Sequence, residues 1–304
     1  MSRCVAIGVD VGGTKIAAAA VDVQSGDILV RNEMPTGREE GGGCVLERLH
    51  GLVLEVHGWL ADQDIQSLGL GVGIPELINN AGEIKSSWNF DWNQHDVKGR
   101  LAEFGAVILE SDARTAALAE SLFGHGSDYP SFVFITIGTG LSFAFSRNGQ
   151  IHRGANGYAI HFGSSDIMAV CSACGEQGAF NLEAFASGHG LAETFRKRTK
   201  RSVDTQDLVD APPGDAAKLL LNQASTALAS YIGQLVNILD PHAVVIGGGL
   251  GLAPTVFKEL ERKSRAHIWA EDCRSIPIVK SAILQDAATI GAAALFRGQL
   301  SRQT

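Results

Sequence analysis

One order of elements occurs twice along this chain of 304 residues, and that repeat limits the folds that the chain can adopt. Each copy starts with an apolar strand, a glycine-containing turn and a second strand, and continues with alternating helices and strands. The first strand covers residues 5–9, and its counterpart in the second copy covers residues 132–136. Alternating helices and strands are typical of α/β domains, so the repeat predicts two such domains built on one plan.

Hydrophobic spacing predicts the individual elements. From Cys44 to Leu60 the apolar residues recur every three or four positions, which indicates one face of a helix. The element pattern places a domain boundary near residue 112, giving domains 1–112 and 113–304, with the last helix able to pack back on the first domain. Two other predicted helices cover 113–122 and 216–239, a third follows Gly249, and a fourth begins at Ala287. The other predicted strands cover 16–21, 28–30, 68–73, 106–109, 141–145, 243–246 and 276–279.

Composition and charge exclude several classes of protein. The chain carries 25 Lys and Arg against 33 Asp and Glu, and its one short basic run, at 196–201, is interpreted as a solvated helix end, so we expect no nucleic-acid partner. No run approaches the roughly 20 apolar residues that cross a bilayer, and no signal-peptide pattern is present, so we expect a cytoplasmic protein without a membrane partner. The five scattered cysteines do not predict a disulfide framework.

Three turns containing glycine follow three of the predicted strands, and their chemistry suits phosphate groups. Glycine lets backbone N–H groups approach phosphate oxygens, a threonine hydroxyl can donate to them, and a carboxylate at the strand end can hold Mg²⁺ through water. The first turn is not a P-loop, because the GxxxxGK[ST] spacing is absent and a strand follows. One such turn alone could be a simple hairpin, whereas three together predict a site for the phosphates of a nucleotide and for Mg²⁺. Its residues are Asp10, Gly12, Gly13, Thr14, Lys15, Gly138, Thr139, Gly140, Gly247, Gly248 and Gly249.

These motifs resemble those of the ROK family of sugar kinases, in order and over nearly the whole chain. The resemblance implies two actin-like, ribonuclease H-like α/β domains with substrate and ATP in the cleft between them, and we expect a homodimer. The matching segments are 10–15 (DxGGTK), 71–75 (GxGxP), 87–92 (the sugar loop), 110–113 (END-A), 138–140 (the second phosphate loop) and 240–249 (DPxxxxIGGG).

The same resemblance implies a catalytic residue and a substrate class. Asp112 is the implied base, which takes the proton of the attacking hydroxyl during in-line transfer of the γ-phosphoryl group. Its alternative interpretation is a carboxylate that caps the following Ala-rich helix. The implied activity is ATP-dependent phosphorylation of a hydroxyl of a hexose or hexose-like sugar. The implied sugar-binding residues are Asn89, Ser111, Asp112, His161, Ser164 and Glu183.

The chain departs from the family pattern at the sugar site. Ser111 stands where the family has Asn, His161 where it has Glu, and Ser164 where it has His. Because the phosphate turns and Asp112 are unchanged, this pattern favours an enzyme with a changed acceptor, such as an amino sugar, another modified hexose, a glycoside or a cyclitol. A pseudokinase that binds sugar or nucleotide without turnover is the alternative. A sugar-responsive repressor is disfavoured, because the phosphate motif begins within the first dozen residues.

The zinc motif of the family, CxCGxxGC, is broken here. Ser172, Ala179 and Ser164 stand at expected ligand positions, and only Cys174 aligns directly. Cys171 and Cys174 could still form a tetrahedral site together with a histidine, because a CxxC pair can bind metal. The sequence therefore predicts less than one equivalent of zinc, with these two cysteines as ligands if zinc binds.

Overall fold

The computed structural model describes residues 3–170, 172–212 and 214–300, and confirms the predicted mixed α/β fold. No helix among these residues is both long and apolar enough to span a bilayer. The strands are β1 (Val5–Val11), β2 (Lys15–Asp22), β3 (Ile28–Pro35), β4 (Ser67–Ile74), β5 (Val107–Ser111), β6 (Ser131–Ile137), β7 (Leu141–Arg147), β8 (Gln150–Ile151), β9 (Ile167–Val170), β10 (Gln177–Phe180), β11 (Ala243–Gly247) and β12 (Ile278–Lys280). The helices are α1 (Gly42–Asp62), α2 (Val97–Leu101), α3 (Asp112–Phe123), α4 (Leu182–Ala186), α5 (Gly188–Thr199), α6 (Thr205–Asp210), α7 (Ala216–Leu239), α8 (Gly249–Leu252), α9 (Pro254–Ser264), α10 (Ala287–Ala294) and α11 (Arg297–Leu300).

The chain forms two compact units. Unit 1 contains the described residues up to Asp128, the segment Ala144–Ala159 and the described residues from Gln285 onward. Unit 2 contains Tyr129–Phe143 and Ile160–Leu284. This division differs from the expected boundary near residue 112, because α3 packs on β4, β5 and α10 and so belongs to unit 1.

The sheet of unit 1 has the strand order β3-β2-β1-β4-β5. The first three strands form the predicted antiparallel meander, and β4 and β5 run parallel to β1. Apolar side chains of α1, such as Val45, Leu49 and Val53, are fully buried in one core with Ile7 and Val9 of β1. Because side chains alternate across a strand, Gly8, which lies between Ile7 and Val9, faces the other side of the sheet.

The backbone of α10 covers the face of the sheet that Gly8 faces. A Cβ atom at Gly8 would lie 2.0 Å from the carbonyl oxygen of Thr289, and one at Gly71 of β4 would lie 1.9 Å from that of Ala292. On α10 itself, a Cβ at Gly291 would lie 1.7 Å from the carbonyl oxygen of Thr115 in α3. Glycine is therefore required at Gly8 and Gly71 of the sheet and at Gly291 of the helix, since any side chain there would displace α10.

The second sheet has the order β12-β11-β6-β7-β8, and within unit 2 the strands β6, β11 and β12 are parallel. Strand β12 begins at Ile278 rather than at the predicted Ile276, because Pro277 has no N–H to donate to the ladder. The single helix predicted after Gly249 is two helices, α8 and α9. Ala253, which precedes Pro254, has extended dihedral angles (φ −56°, ψ 127°), as the residue before a proline prefers.

We predict opposite effects on stability for alanine at two glycines of unit 1. Gly71→Ala should lower the free energy of unfolding by about 1–3 kcal/mol or more, because its Cβ overlaps the backbone of α10. Gly58→Ala, at an exposed position of α1 with nothing within 4 Å of its Cβ, should raise it by about 0.5–1 kcal/mol. Urea unfolding measures both, and an unchanged midpoint for Gly71→Ala would contradict the packing described for α10.

Candidate functional site

The first glycine turn connects β1 to β2 in unit 1. Asp10 lies near the end of β1, and the turn is closed by a hydrogen bond from the Gly12 N–H to the Lys15 carbonyl oxygen at 2.9 Å. The fully buried Thr36 holds the turn from behind, since its hydroxyl donates to the Gly12 carbonyl oxygen at 2.7 Å and its N–H donates to that of Thr14 at 3.0 Å. The turn is therefore rigid, with Thr14 and Lys15 exposed.

A chain of ion pairs runs from this turn to the start of α10. The Lys15 ammonium lies 3.0 Å from Glu33, and Glu33 also accepts from Arg31 at 2.8 Å. The Nε of Arg31 donates to Asp286 at 2.7 Å, and Asp286 directly precedes α10. The charges alternate along this chain, so it links β2, β3 and α10 beside Asp10.

Asp112 is the first residue of α3 and follows the last residue of β5. Its Oδ1 accepts from the Ala113 N–H at 2.7 Å and from the Ser111 hydroxyl at 3.4 Å, while the Thr115 hydroxyl donates to its carbonyl oxygen at 2.8 Å. Ser111 is fully buried, and its own hydroxyl makes no capping bond to the helix. The carboxylate of Asp112 is consequently fixed at the junction between strand and helix.

Gly73 of β4 lies between the segments that carry Asp10 and Asp112. It pairs with Asp10 on one side and with Glu110 on the other. A Cβ at Gly73 would lie 3.4 Å from the carbonyl oxygen of Val9 and 3.5 Å from the Cα of Asp112. The absence of a side chain here leaves space between the strand of Asp10 and the helix start of Asp112.

Burial changes the acidity of both groups, and like charge adds to the change at Asp10. Desolvation raises the pKa of Asp10 from 3.8 to about 7, and the nearby Asp112 carboxylate adds to the rise. Desolvation also raises the pKa of Asp112, from 3.8 to about 6, against the lowering effects of the Ala113 N–H, the Ser111 hydroxyl and the Arg114 cation. Strongly shifted carboxylates that lie together are typical of functional sites.

The loop that carries Asn89 is organised by a buried carboxylate, Glu76, which is 2% exposed. Glu76 accepts backbone hydrogen bonds from Trp88, Asn89 and Phe90 at 3.1, 2.6 and 2.9 Å. The side-chain amide of Asn89 donates to the Pro75 carbonyl oxygen at 2.6 Å, so its Oδ1 has a fixed direction. The loop backbone is therefore held in place, and it presents the Trp88 indole, which is 61% exposed, beside Asn89.

The second and third glycine turns lie side by side in unit 2. Gly138 closes a tight turn after β6, with its N–H donating to the Gly140 carbonyl oxygen at 3.0 Å. Gly247 ends β11, which pairs with β6. Gly248 has a φ of +80°, and a Cβ there would lie 2.5 Å from the carbonyl oxygen of Ile137, the residue before Gly138. Gly249 then begins α8 with open space around it.

Three of the expected sugar-binding residues form a connected group in unit 2. The Glu183 carboxylate accepts from the Leu141 N–H at 3.0 Å and from the Ser164 hydroxyl at 2.7 Å. The Ser164 hydroxyl also lies 3.3 Å from Nδ1 of the exposed His161. Glu183 therefore supports the turn at Gly140, and His161 is the most exposed member of the group.

The cysteine pair falls at the edge of what the structure describes. Cys171 lies outside the described residues, and Cys174 is exposed between β9 and β10. Within the described ranges, no three His, Cys, Asp or Glu side chains are grouped so as to hold a metal ion. Mg²⁺ does not need such a group, since it keeps several waters and usually takes one or two carboxylates together with substrate phosphates. The partly buried Asp10 suits that role.

Several side chains of the site were missed by sequence reasoning. Thr36 and Glu76 act on backbone groups distant in sequence, and no local pattern marks them. Glu110 and Arg114 are four residues apart in the sequence, but they lie at a junction between strand and helix, where that spacing does not define one helix face. Their ion pair was therefore not predicted. Arg153 reaches Glu110 from another segment, and only the fold reveals this contact.

The chain is similar to several known proteins. A model described as the ROK family matches residues 6–299. A glucokinase of Halalkalibacterium halodurans is 28% identical over 96% of this chain and 95% of its own length, and an N-acetylmannosamine kinase of Haemophilus influenzae is 31% identical over 96% of this chain and 94% of its own. The structure of a ROK family glucokinase from Streptomyces griseus, in complex with glucose and AMPPNP, matches with a TM-score of 0.81 at 24% identity, covering 97% of this chain and 99% of that chain.

We predict that Asp10→Asn stabilises the protein at alkaline pH. Because the pKa of Asp10 is raised from 3.8 to about 7, the folded state holds this proton more tightly than the unfolded state, and stability falls as the pH rises through that interval. Asparagine cannot ionise, so without nucleotide or divalent cation the variant should melt about 2 °C or more above wild type at pH 8.

At pH 4 the same variant should melt close to wild type, because the wild-type carboxyl is then protonated. The control is Asp62→Asn, at the exposed end of α1, which should show no such pH-dependent difference. An Asp10→Asn difference that is equal at pH 4 and pH 8 would contradict the prediction.

Proposed function

Because this chain belongs to the ROK family and is a sugar kinase, we propose that it transfers the γ-phosphoryl group of ATP to a hydroxyl of a hexose or hexose-like sugar, with Asp112 as the general base. The observation that carries this proposal is the arrangement around Gly73, which brings the fixed carboxylate of Asp112 close to Asp10 and its phosphate-type turn. The pKa of Asp112, about 6, leaves it mostly ionised near neutral pH, as a base requires.

Each residue has a role in this mechanism. Asp112 accepts the proton of the attacking hydroxyl. In unit 1 the rigid turn at Gly12 and Gly13 offers backbone N–H groups to phosphate oxygens, with the exposed Thr14 and Lys15 as additional donors. In unit 2 the glycine turns at 138–140 and 247–249 bind the phosphates and adenosine of ATP. These roles supply positioning and charge stabilisation, which are the main requirements of phosphoryl transfer.

Asp10 would hold Mg²⁺ through water, and the ion would neutralise charge on the phosphates. The raised pKa of Asp10 fits this role, because the cost of ionising this carboxyl is offset when a cation lies beside it. The neighbouring Arg31 and Lys15 cations provide part of that compensation in the protein itself.

Asn89 and Trp88 support an acceptor of the sugar type. The amide oxygen of Asn89 is oriented to accept from a hydroxyl, and the exposed indole of Trp88 offers an apolar surface to the carbon face of a sugar ring. Relatives that are named glucokinase, N-acetyl-D-glucosamine kinase and N-acetylmannosamine kinase support the hexose class. The substitutions at Ser111, His161 and Ser164 support an acceptor other than plain glucose.

We expect Asp112→Asn to lower kcat by about 10²-fold or more, which is the low end of general-base contributions, while ATP affinity changes only a few-fold. The amide keeps the shape and the helix-start position of the carboxylate but cannot take a proton. Turnover is measured with ATP and a panel of hexoses, amino sugars and cyclitols, and affinity by calorimetry with a non-hydrolysable ATP analogue. Turnover close to wild type on the best acceptor would remove Asp112 from this role.

Specificity should respond to His161. An ionised carboxylate only accepts hydrogen bonds, whereas imidazole also donates, so His161→Glu should raise the kcat/KM ratio for glucose over the best acceptor of wild type about fivefold or more, the effect of one regained hydrogen bond. The control is His125→Glu, the same substitution at an exposed histidine of unit 1. A ratio that is unchanged in both variants would show that His161 does not contact the sugar.

A further inference from the structure

A cluster of three charged side chains, two of them buried, lies next to Asp112 in unit 1. Glu110 is 4% exposed and Arg114 is 1% exposed. The Nε of Arg114 donates to Oε1 of Glu110 at 2.8 Å, and Arg153 pairs with the other carboxylate oxygen. Glu110 also accepts from the N–H of Ser111 at 2.8 Å, so its carboxylate contacts the backbone that leads into Asp112.

The two arginines extend this cluster to two loops. Arg114 donates to the carbonyl oxygen of Gly157 at 2.7 Å and to that of Ile78 at 3.2 Å. Arg153 donates to the carbonyl oxygen of Asn79 at 3.0 Å. The loops approach each other so closely that a Cβ at Gly157 would lie 2.6 Å from the Ile78 carbonyl oxygen. The guanidinium groups thus bind backbone carbonyl oxygens of both loops.

One of these loops belongs to the segment that carries Asn89. Residues Ile78 and Ile84 form a β-bridge, and the Lys85 N–H donates to the Leu77 carbonyl oxygen at 2.8 Å, so the chain turns back toward Asn89 as a hairpin. The cluster therefore joins the backbone of Asp112 to the base of the hairpin that leads to Asn89. In unit 1 these are the proposed base and a proposed acceptor-binding residue.

Stability alone does not account for a cluster of this kind. Buried ion pairs contribute little net stability, because the cost of desolvation offsets the attraction, and apolar residues of similar size are often as stable. This cluster also carries an excess positive charge, with two arginines against one glutamate. The positive charge of Arg114 lowers the pKa of Asp112, in addition to the larger lowering effects of the Ala113 N–H and the Ser111 hydroxyl.

We propose that Arg114 and Arg153 are positioning residues for phosphoryl transfer: through Glu110 they hold Asp112 and the Asn89 hairpin in one fixed geometry. This inference rests on the proposed function. The benefit of such a geometry lies in the reaction rate, because orientation of the attacking hydroxyl toward its base lowers the barrier, and a displacement of about 1 Å can cost about 10²-fold.

The test compares the full-length variants Arg153→Met, Arg153→Lys, Arg114→Met and Arg114→Lys with wild type and with Asp112→Asn. The matched control is Arg100→Met, which removes a salt bridge to Glu47 from an arginine of similar exposure (34%, against 36% for Arg153) in the same unit. For each protein, kcat and the KM values for ATP and for the best acceptor are measured, and the folded fraction is determined by circular dichroism.

Arg153→Met should lower kcat about tenfold or more with the KM for ATP unchanged, and Arg153→Lys should recover part of that loss. Arg114→Met should show the same loss of kcat with the KM for ATP unchanged, and Arg114→Lys should recover part of it. Arg100→Met should behave as wild type.

The outcomes separate the inference from the function on which it rests. An inactive Asp112→Asn, together with wild-type kcat in the arginine variants, would overturn the positioning role alone. A loss of melting temperature in the arginine variants, with kcat per folded molecule unchanged, would also overturn it, since the cluster would then be only structural. Wild-type turnover in Asp112→Asn would overturn the proposed function itself. If Arg114→Met does not fold, kcat of the two Arg153 variants decides.

Discussion

The contact between the backbone of α10 and the strands β1 and β4 is the constraint on which the rest of unit 1 depends. It requires glycine at Gly8 and Gly71 on the sheet, because each Cβ would overlap a backbone atom of α10. The helix backbone then lies directly against the sheet, and Gly291 of the helix allows a second close contact, with Thr115 of α3. Since α3 begins at Asp112 and β1 carries Asp10, the packing of α10 also fixes the two carboxylates of the candidate site.

Burying the Asp10 and Asp112 carboxylates lowers the stability of the fold, and nearby cations offset part of this loss. Burial raises the pKa of both, so each destabilises the fold when it ionises. Cations surround them on two sides: Lys15 and Arg31 near Asp10, and Arg114 near Asp112. None of these cations removes the shift, which leaves a site that favours a further positive charge. Such a balance is expected where a functional site is maintained at the expense of stability.

The sequence was sufficient to predict elements whose local pattern agrees with the fold. The periodic apolar face of α1 and the strand–turn–strand repeats were predicted correctly, and so was the mixed α/β class. The short elements between Ile160 and Asp210 were not predicted, because they have no sustained periodicity. The positions of Asp10, Asp112 and the glycine turns followed from motifs. The residues that orient them did not, because Thr36, Glu76 and Arg153 act on groups that only tertiary packing brings near. The family resemblance implied the roles of the site residues, and the contacts within unit 1 and within unit 2 support those roles.

Unit 1 is built from three separated segments of the chain, and α10 belongs to the last of them. A ribosome therefore releases the whole of unit 2 before it releases the helix that completes unit 1. Until then the glycine-lined face of β1 and β4 has no cover, and α3 lacks the surface against which it packs. Asp10 and Asp112 are thus fixed relative to each other only after α10 has been synthesised, so the candidate site of unit 1 is completed later than the segment that forms unit 2.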